Sequence, residues 1–350
     1  MINIDFLVAG CNTRCQHCYV NGSPSKMMRL EDALLCLEKL DKLAQYIPNE
    51  VSFTLDHEPM NHPHIDQILH AASNTQHIQN FHHGMTTGIA LMHRKDKDSV
   101  LQAYIDHGYH SFGITIHGNS VHHDEIVRRN GAYQTAIDAA KFLKSHGAKL
   151  ELSLMLNRYF ASDAETISAM ISELQPNDIC FAIPIFTPHN NMMDFEPHRA
   201  TFETVSALQG YFSAWRQNES SLLKIAQENT IGAVVERLKQ GVNLHHLFSE
   251  KQDELYLTLH QDCKLCVGNS GAETEYLGDL RYIDLQATAE YIYSLPGNRD
   301  YGAFYDIERL PNINDLIKAL KKLPQSTLYG DFESVLYRGF AELGIPTKII

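Results

Sequence analysis

The chain has 350 residues, with 29 Lys and Arg against 42 Asp and Glu and a formal net charge of −13. That length can bury a substantial core and suits one large domain plus a smaller one; the acidic balance and the absence of a Lys/Arg-rich block disfavour nucleic acid and anionic membrane as partners. Seven Cys, an odd number with three packed together, fit a reducing compartment and metal ligation better than a disulfide framework. The residues before the first Cys hold no basic n-region and no long apolar run. A cytoplasmic protein is therefore expected, without a signal peptide, a membrane helix or an N-terminal leader-binding domain. Twenty His are present, most in loops, and together they predict a strong charge change below about pH 6.5.

Ile2 to Ala9 (INIDFLVA) reads as a buried strand, and Gly10 lets the chain turn. The turn leads into Cys11-Asn-Thr-Arg-Cys15-Gln-His-Cys18, three thiols in one short loop. A C-x3-C-x2-C run can close three sulfurs on one metal centre, and a four-iron cubane held this way keeps one iron without a protein ligand. A chelating small molecule could bind that iron and accept an electron. A zinc site lacking its fourth ligand and three reduced thiols are the other readings; zinc more often uses paired C-x2-C units across a longer gap. Leu30 to Tyr46 carries Leu34, Leu37, Leu40 and Leu43 at helical steps, Cys36 reads as a core residue in that helix, and Pro48 ends it.

Val51 to Leu55 is a second strand, running into Asp56-His57-Glu58-Pro59-Met60-Asn61-His62-Pro63. Residues 79–91 predict a third strand ending in Thr86-Thr87-Gly88, with a helix starting near Lys97. Tyr109 to Ile116 is a fourth, and Thr115 and His117 share one face by the period of two. His122-His123-Asp124-Glu125-Ile126-Val127-Arg128-Arg129-Asn130-Gly131-Ala132-Tyr133 then leads into a helix from Ala132 to His146. Lys149 to Leu156 is strand five, ending in Asn157-Arg158. After a helix from Ala164 to Leu174, Asp178 to Ile185 is strand six, with Cys180 read as core. Strand-helix alternation at this spacing argues for parallel strands with right-handed crossovers, which gather chemistry at strand C-terminal ends. Phe186 to Arg199 is irregular and well placed to touch substrate.

Helices are predicted from Phe202 to Arg216, Leu222 to Lys239 and Ile313 to Leu323. Between them lie Leu255-Tyr-Leu-Thr-Leu-His260-Gln-Asp-Cys263-Lys-Leu-Cys266 and Tyr276-Leu-Gly278-Asp-Leu-Arg-Tyr282. His260, Cys263 and Cys266 are candidates for a second metal, iron-sulfur or zinc. No Cys follows Cys266, so a region that has lost its cluster is the other reading.

The Cys loop, followed by Tyr19, resembles that of the radical S-adenosylmethionine (SAM) enzymes. Glu58-Pro59 resembles the Glu-Pro of that family's G-G-E-P segment, with Asp56 and His57 in place of two glycines. Thr86-Thr87-Gly88 resembles its T-N-G turn, Thr115-x-His117 its S-x-D, His123-Asp124 to Tyr133 its H-D-x-x-R-x-x-G-x-F run, and Asn157-Arg158 a V-N-R ending. The residues 255–285 are similar to a degenerate SPASM/Twitch-like auxiliary-cluster region. The resemblance implies a fold of the α/β class: a partial (β/α)6 radical SAM barrel over 1–200, with a smaller α+β C-terminal cap over 201–350. It implies a [4Fe-4S] cluster on Cys11, Cys15 and Cys18, and His17 packing on the cofactor. It further implies SAM contacts from Glu58, Thr87, Thr115, His117, Arg128 and Asn157, with Arg128 suited to a carboxylate.

The implied activity is reductive cleavage of SAM to a 5'-deoxyadenosyl radical that abstracts hydrogen from a substrate. A peptide or natural-product precursor is the expected substrate, and a small polar metabolite is the alternative. The implied electron donor is a reductant such as flavodoxin or ferredoxin. A non-catalytic iron-sulfur or zinc-binding scaffold is the reading from a different class.

Overall fold

The computed structural model describes residues 1–18, 26–187, 192–249, 253–295, 305 and 309–348. Tyr19, the turn at 22–25 and residues 188–191 of the segment expected to face substrate lie outside them.

The strand read at the N-terminus is β1 (Ile2–Ala9), followed by helix α1 (Leu30–Gln45), which buries Ala33, Cys36, Leu37, Leu40 and Leu43. Next, β2 (Val51–His57) pairs in parallel with β1, from Ile2 opposite Val51 to Phe6 opposite Leu55; the register then shifts, so that Ala9 faces His57. After α2 (Ile65–Ala72) the single strand expected over 79–91 is absent. In its place are two-residue strands β3 (Gln79–Asn80) and β4 (Gly84–Met85), then helix α3 (Ile89–His93).

The physical reason lies between the two short strands. His83 N–H donates to Phe81 C=O at 2.9 Å, a tight turn that takes these residues out of the ladder. Gly84 then lies flat against the Phe112 ring, where a β-carbon would come within 2.5 Å of it. β3 therefore pairs with β2, while β4 pairs with β5 (Ser111–Ile116) after α4 (Lys97–Asp106). α5 (Ser120–Val127), α6 (Ala132–Ser145), β6 (Lys149–Met155), α7 (Phe160–Leu174) and β7 (Asp178–Ala182) complete the alternation, with β5, β6 and β7 all parallel.

β7 is shorter than the 178–185 expected. Pro184 has no N–H to give a ladder, and its carbonyl accepts instead from Gly330 N and Arg199 Nη1. Cys180, expected in the core, is exposed on this edge strand; it occupies the face opposite the buried Ile179 and Phe181.

The C-terminal segment does more than cap. Its β8 (Leu255–Leu259) adds to the free edge of β1 in parallel, Ile2 opposite Leu255 through Phe6 opposite Leu259. β9 (Lys264–Val267) and β10 (Glu275–Asp279) then meander outward antiparallel. The result is one sheet ordered β10-β9-β8-β1-β2-β3 and a second ordered β4-β5-β6-β7, a partial barrel split at the β3/β4 break.

The two long helices expected in this region are each divided. The first becomes Phe202–Ala207 and Gln209–Phe212; the second becomes Glu219–Glu228 and Ile231–Lys239. The second break is set by Thr230, whose hydroxyl accepts from Ala233 N and starts a new helix. A later helix, Phe332–Glu342, docks through Arg338, which donates to Glu196; Arg199 and the Tyr329 hydroxyl donate to the same carboxylate.

Side-chain alternation fixes which face holds the core. Phe112, Ile114, Ile116, Leu150, Leu152 and Leu154 are wholly buried, whereas Thr115, Glu151, Ser153 and Met155 on the opposite face are half-buried. β2 repeats the pattern, with Val51, Phe53 and Leu55 buried and Ser52, Thr54 and Asp56 partly open. The apolar set packs under the helices and leaves a polar face on the inside. Among the described residues no helix is long and apolar enough to cross a membrane.

Candidate active site

The Cys loop begins where β1 ends and is pinned on several sides. Gly10 N–H donates to Lys26 C=O, and Gly10 C=O accepts from Asn61 Nδ2 at 2.7 Å. Gln16 N–H reaches Ile126 C=O at 2.8 Å, Gln16 Nε2 reaches Glu125 C=O, and Arg129 donates to Asn12 C=O at 3.0 Å. The loop is therefore clamped between the Pro59–Asn61 turn after β2 and the end of α5. Its three thiols line one wall of a cavity of about 210 Å³ at the C-terminal ends of β1, β2, β4 and β5. Burial pushes the Cys15 thiol up to about 12 and raises Cys11 as well, with the Glu58 carboxylate adding to the effect on Cys11. Without metal these thiols hold their protons, and loading a cation releases them.

The arrangement fits a multi-iron cluster better than a single ion. Zinc–sulfur bonds of about 2.3 Å in a tetrahedron require sulfurs about 3.8 Å apart. Among the described residues no three His, Cys, Asp or Glu side chains are grouped closely enough to hold one ion. A cubane takes one thiolate per iron and spreads them over a wider base.

Opposite the thiols, Glu58 is fully buried. Its Oε1 accepts from Thr86 Oγ1 at 2.6 Å, and its Oε2 from Thr87 N and Thr87 Oγ1 at 2.8 and 2.7 Å. Burial raises its pKa, and the three hydrogen bonds act against that rise. Glu58 thus lies beneath the cavity and fixes the Thr86-Thr87 turn, which does line it. The carboxylate that reaches the cavity from β2 is Asp56, half-buried and without a hydrogen-bond partner among the described residues. Beside it His57 adopts a left-handed backbone (φ 65°) and hydrogen-bonds Ser270 Oγ at 2.8 Å, joining the mouth to the loop after β9.

Three imidazoles form another wall. His17 and His117 sit with ring centres 4.7 Å apart, and His117 and His123 5.2 Å apart. Burial lowers all three, His17 and His123 to about 4 and His117 well below its ordinary value, so the wall is neutral at pH 7. The Nδ1 atoms of His17 and His117 are buried and unpartnered. Thr115 also lines the cavity. Asn157 does not: it is wholly buried, donates to His117 C=O at 2.7 Å and Met155 C=O at 3.2 Å, and accepts from Tyr159 N. Arg128 caps α5 in a left-handed conformation (φ 56°) and pairs with Asp194 outside this cavity.

Of the six residues expected to contact SAM, the structure therefore brings Thr87, Thr115 and His117 to the cavity wall. It places Glu58 and Asn157 one layer behind, and Arg128 elsewhere. Asp56, Thr13, Thr86 and His123 line the cavity without having been singled out. The period of two along β2 could have found Asp56, and Thr86 and His123 lie in the segments that resemble the T-N-G turn and the H-D run; Thr13 had no signal.

The candidates for a second metal are not assembled. Cys263 is buried (φ 68°) with its thiol hydrogen-bonded to that of Cys36. His260 Nε2 pairs with Glu273 Oε1 at 2.9 Å, and both line a neighbouring cavity of about 680 Å³ with Cys266, Lys26 and Tyr276.

Comparison with known proteins places this geometry. Residues 6–168 match the profile of the Radical SAM superfamily. That match spans a little under half of the chain, from β1 into α7. The matched segment is similar to the radical SAM enzymes, a superfamily that uses a [4Fe-4S] cluster and SAM. No curated protein sequence matches the chain. Among solved structures it is similar to anSMEcpe with bound AdoMet and Cp18Cys peptide, at 12% identity and a TM-score of 0.54, covering 97% of this chain and 96% of that one. It is also similar to Streptococcus suis SuiB bound to S-adenosylmethionine, at 12% identity and a TM-score of 0.50, covering 83% and 67%. SuiB bound to the precursor peptide SuiA matches at 12% identity and a TM-score of 0.51, covering 94% and 74%. At these identities the likeness is one of fold, a radical SAM barrel.

Proposed function

We propose that this enzyme reductively cleaves SAM and uses the resulting radical to abstract hydrogen from a peptide substrate. One observation carries the reading: three thiols, one unpartnered carboxylate and a hydroxyl-lined turn converge on a single cavity at the C-terminal ends of four parallel strands. When bound, the cluster supplies one electron to SAM, whose carbon–sulfur bond breaks to give methionine and a 5'-deoxyadenosyl radical.

Cys11, Cys15 and Cys18 would hold the cluster, with Cys11 and Cys15 giving up protons that burial otherwise retains. Asp56 accepts the ammonium of SAM, and Thr87 and Thr115 offer hydroxyls to its polar groups. Glu58 and Asn157 act through others, Glu58 by fixing Thr87 and Asn157 by holding the His117 carbonyl. Arg128 would meet the SAM carboxylate by exchanging Asp194 for it. The neutral wall of His17, His117 and His123 adds no positive charge beside a cationic ligand, and it offers ring faces to the adenosyl group.

A peptide is favoured over a small polar metabolite for two reasons. The similar structures of anSMEcpe and SuiB include complexes with peptides. A second cavity lined by His260, Cys266, Glu273 and Lys26, three of whose charged groups act on His57 at the first, offers room for flanking residues of an extended substrate. A low-potential flavodoxin or ferredoxin is the proposed electron donor, with residues 1–200 carrying the chemistry and 201–350 enclosing it. The test is anaerobic reconstitution with iron and sulfide, reduction with dithionite in the presence of SAM, and quantitation of 5'-deoxyadenosine. About four irons per chain with deoxyadenosine formed supports the reading; a loaded cluster that never cleaves SAM, with or without candidate peptides, favours the scaffold.

A further inference from the structure

We propose that Thr13 is a positioning residue that sets the reduction potential of the cluster through its hydroxyl. This rests on the proposed cluster at Cys11, Cys15 and Cys18. Thr13 lies between the first two of those thiols and is 6% exposed. Its Oγ1 is 3.2 Å from Cys11 Sγ and 3.4 Å from Cys15 Sγ, and these are its hydroxyl's hydrogen-bond partners among the described residues.

In the thiol form, Cys15 can donate to this oxygen. Once the thiols are thiolates bound to iron they can only accept, so the hydroxyl must turn and donate to a sulfur. The alternative is a buried donor with no partner, which is unfavourable. The clamp on the loop, from Gln16 to Ile126 and Glu125 and from Arg129 to Asn12, holds Thr13 in this position on both sides. The fit is thus one of orientation: a buried donor held against two of the three ligand sulfurs.

A donor aimed at a cluster sulfur stabilises the state with more negative charge, which is the reduced one, and so raises the potential. The backbone N–H groups of Asn12 and Thr13 also point at Cys11 Sγ. Those donors remain when the side chain changes, so the hydroxyl can be isolated. Thr13→Val keeps the shape and removes the donor; Thr13→Ser keeps the donor and removes a methyl.

The experiment is an anaerobic redox titration of the reconstituted proteins, following the reduced cluster by electron paramagnetic resonance. The inference expects Thr13→Val to titrate at a more negative potential than wild type and Thr13→Ser to stay with wild type. Deoxyadenosine formation by Thr13→Val should fall with a weak reductant and recover with a stronger one. Equal potentials for Thr13→Val and wild type, or equal shifts for Val and Ser, overturn it.

The wild-type protein gives a second measurement that needs no variant with Val. The iron–sulfur stretching bands of its cluster should shift in D2O by more than those of Thr13→Ala, and identical shifts would also overturn the inference. A wild-type protein that assembles no cluster refutes the proposed function itself, an outcome separate from a cluster whose potential ignores Thr13.

Discussion

Glu58→Ala should destabilise the fold severely although Glu58 does not line the cavity. The carboxylate is wholly buried and takes three donors at 2.6–2.8 Å, from Thr86 Oγ1, Thr87 N and Thr87 Oγ1. Each buried donor left without a partner costs about 1–3 kcal/mol. The two hydroxyls can rotate toward other acceptors, but the Thr87 amide cannot. Counting the amide in full, the hydroxyls in part and the vacated volume, the loss is about 3–5 kcal/mol. Glu58→Gln keeps the volume and one acceptor oxygen and avoids burying a charge, so its cost should be about 1–2 kcal/mol. Urea unfolding of the cluster-free protein, followed by far-ultraviolet circular dichroism, reads both. An alanine variant within about 1 kcal/mol of wild type, or a glutamine variant as damaged as alanine, would refute the assignment of Glu58 as the buried anchor of the Thr86-Thr87 turn.

Asp56→Asn should weaken SAM binding about tenfold or more, since it removes the charge from a charge-assisted contact worth about 1.5–3 kcal/mol, while leaving urea stability within about 1 kcal/mol because Asp56 is half-buried and unpaired; equilibrium dialysis of SAM against the loaded protein checks this, and unchanged affinity would return the ammonium to another group. Burial lowers His17 and His123 to about 4, so an unfolded chain binds protons at these sites between about pH 6.5 and 4 that the folded chain does not. Stability therefore falls as pH drops through that window, by about 2 kcal/mol per residue at pH 5 relative to pH 7; urea midpoints of the cluster-free protein that stay flat from pH 7 to 5 would contradict the buried neutral wall. Gly88→Ala should cost about 1–3 kcal/mol, because Gly88 sits at φ 77° with a built β-carbon 2.6 Å from Ala139 Cβ, and thermal unfolding at or above the wild-type midpoint would show that the turn tolerates a side chain.

Much of the site was legible because a few residue types have narrow uses. The C-x3-C-x2-C spacing puts three thiols in one loop, and they line one cavity wall; the period of two puts Thr115 and His117 at one strand end and Thr54 and Asp56 at another. What the sequence did not reveal depends on who satisfies whom. Glu58 reads as a ligand-facing acid because it follows a strand and precedes Pro59, but Thr86 and Thr87, 28 and 29 residues away, absorb it completely. Asn157 and Arg128 moved for the same reason, toward the His117 carbonyl and Asp194. The third strand failed because hydropathy across 79–91 does not register a turn at Phe81–His83 or a glycine pressed on the Phe112 ring. Cys180 was misread because alternation alone cannot say that β7 is an edge. The pairing of β8 with β1 joins residues about 250 positions apart, and no local pattern carries that information.

The central claim is that the three thiols support SAM cleavage. The most direct measurement is 5'-deoxyadenosine formed by dithionite-reduced, iron-loaded protein with SAM, for wild type beside Cys15→Ala. The account predicts product from wild type, none from Cys15→Ala, and about four irons per chain. Equal product from both proteins, or none from a fully loaded wild type, would contradict it.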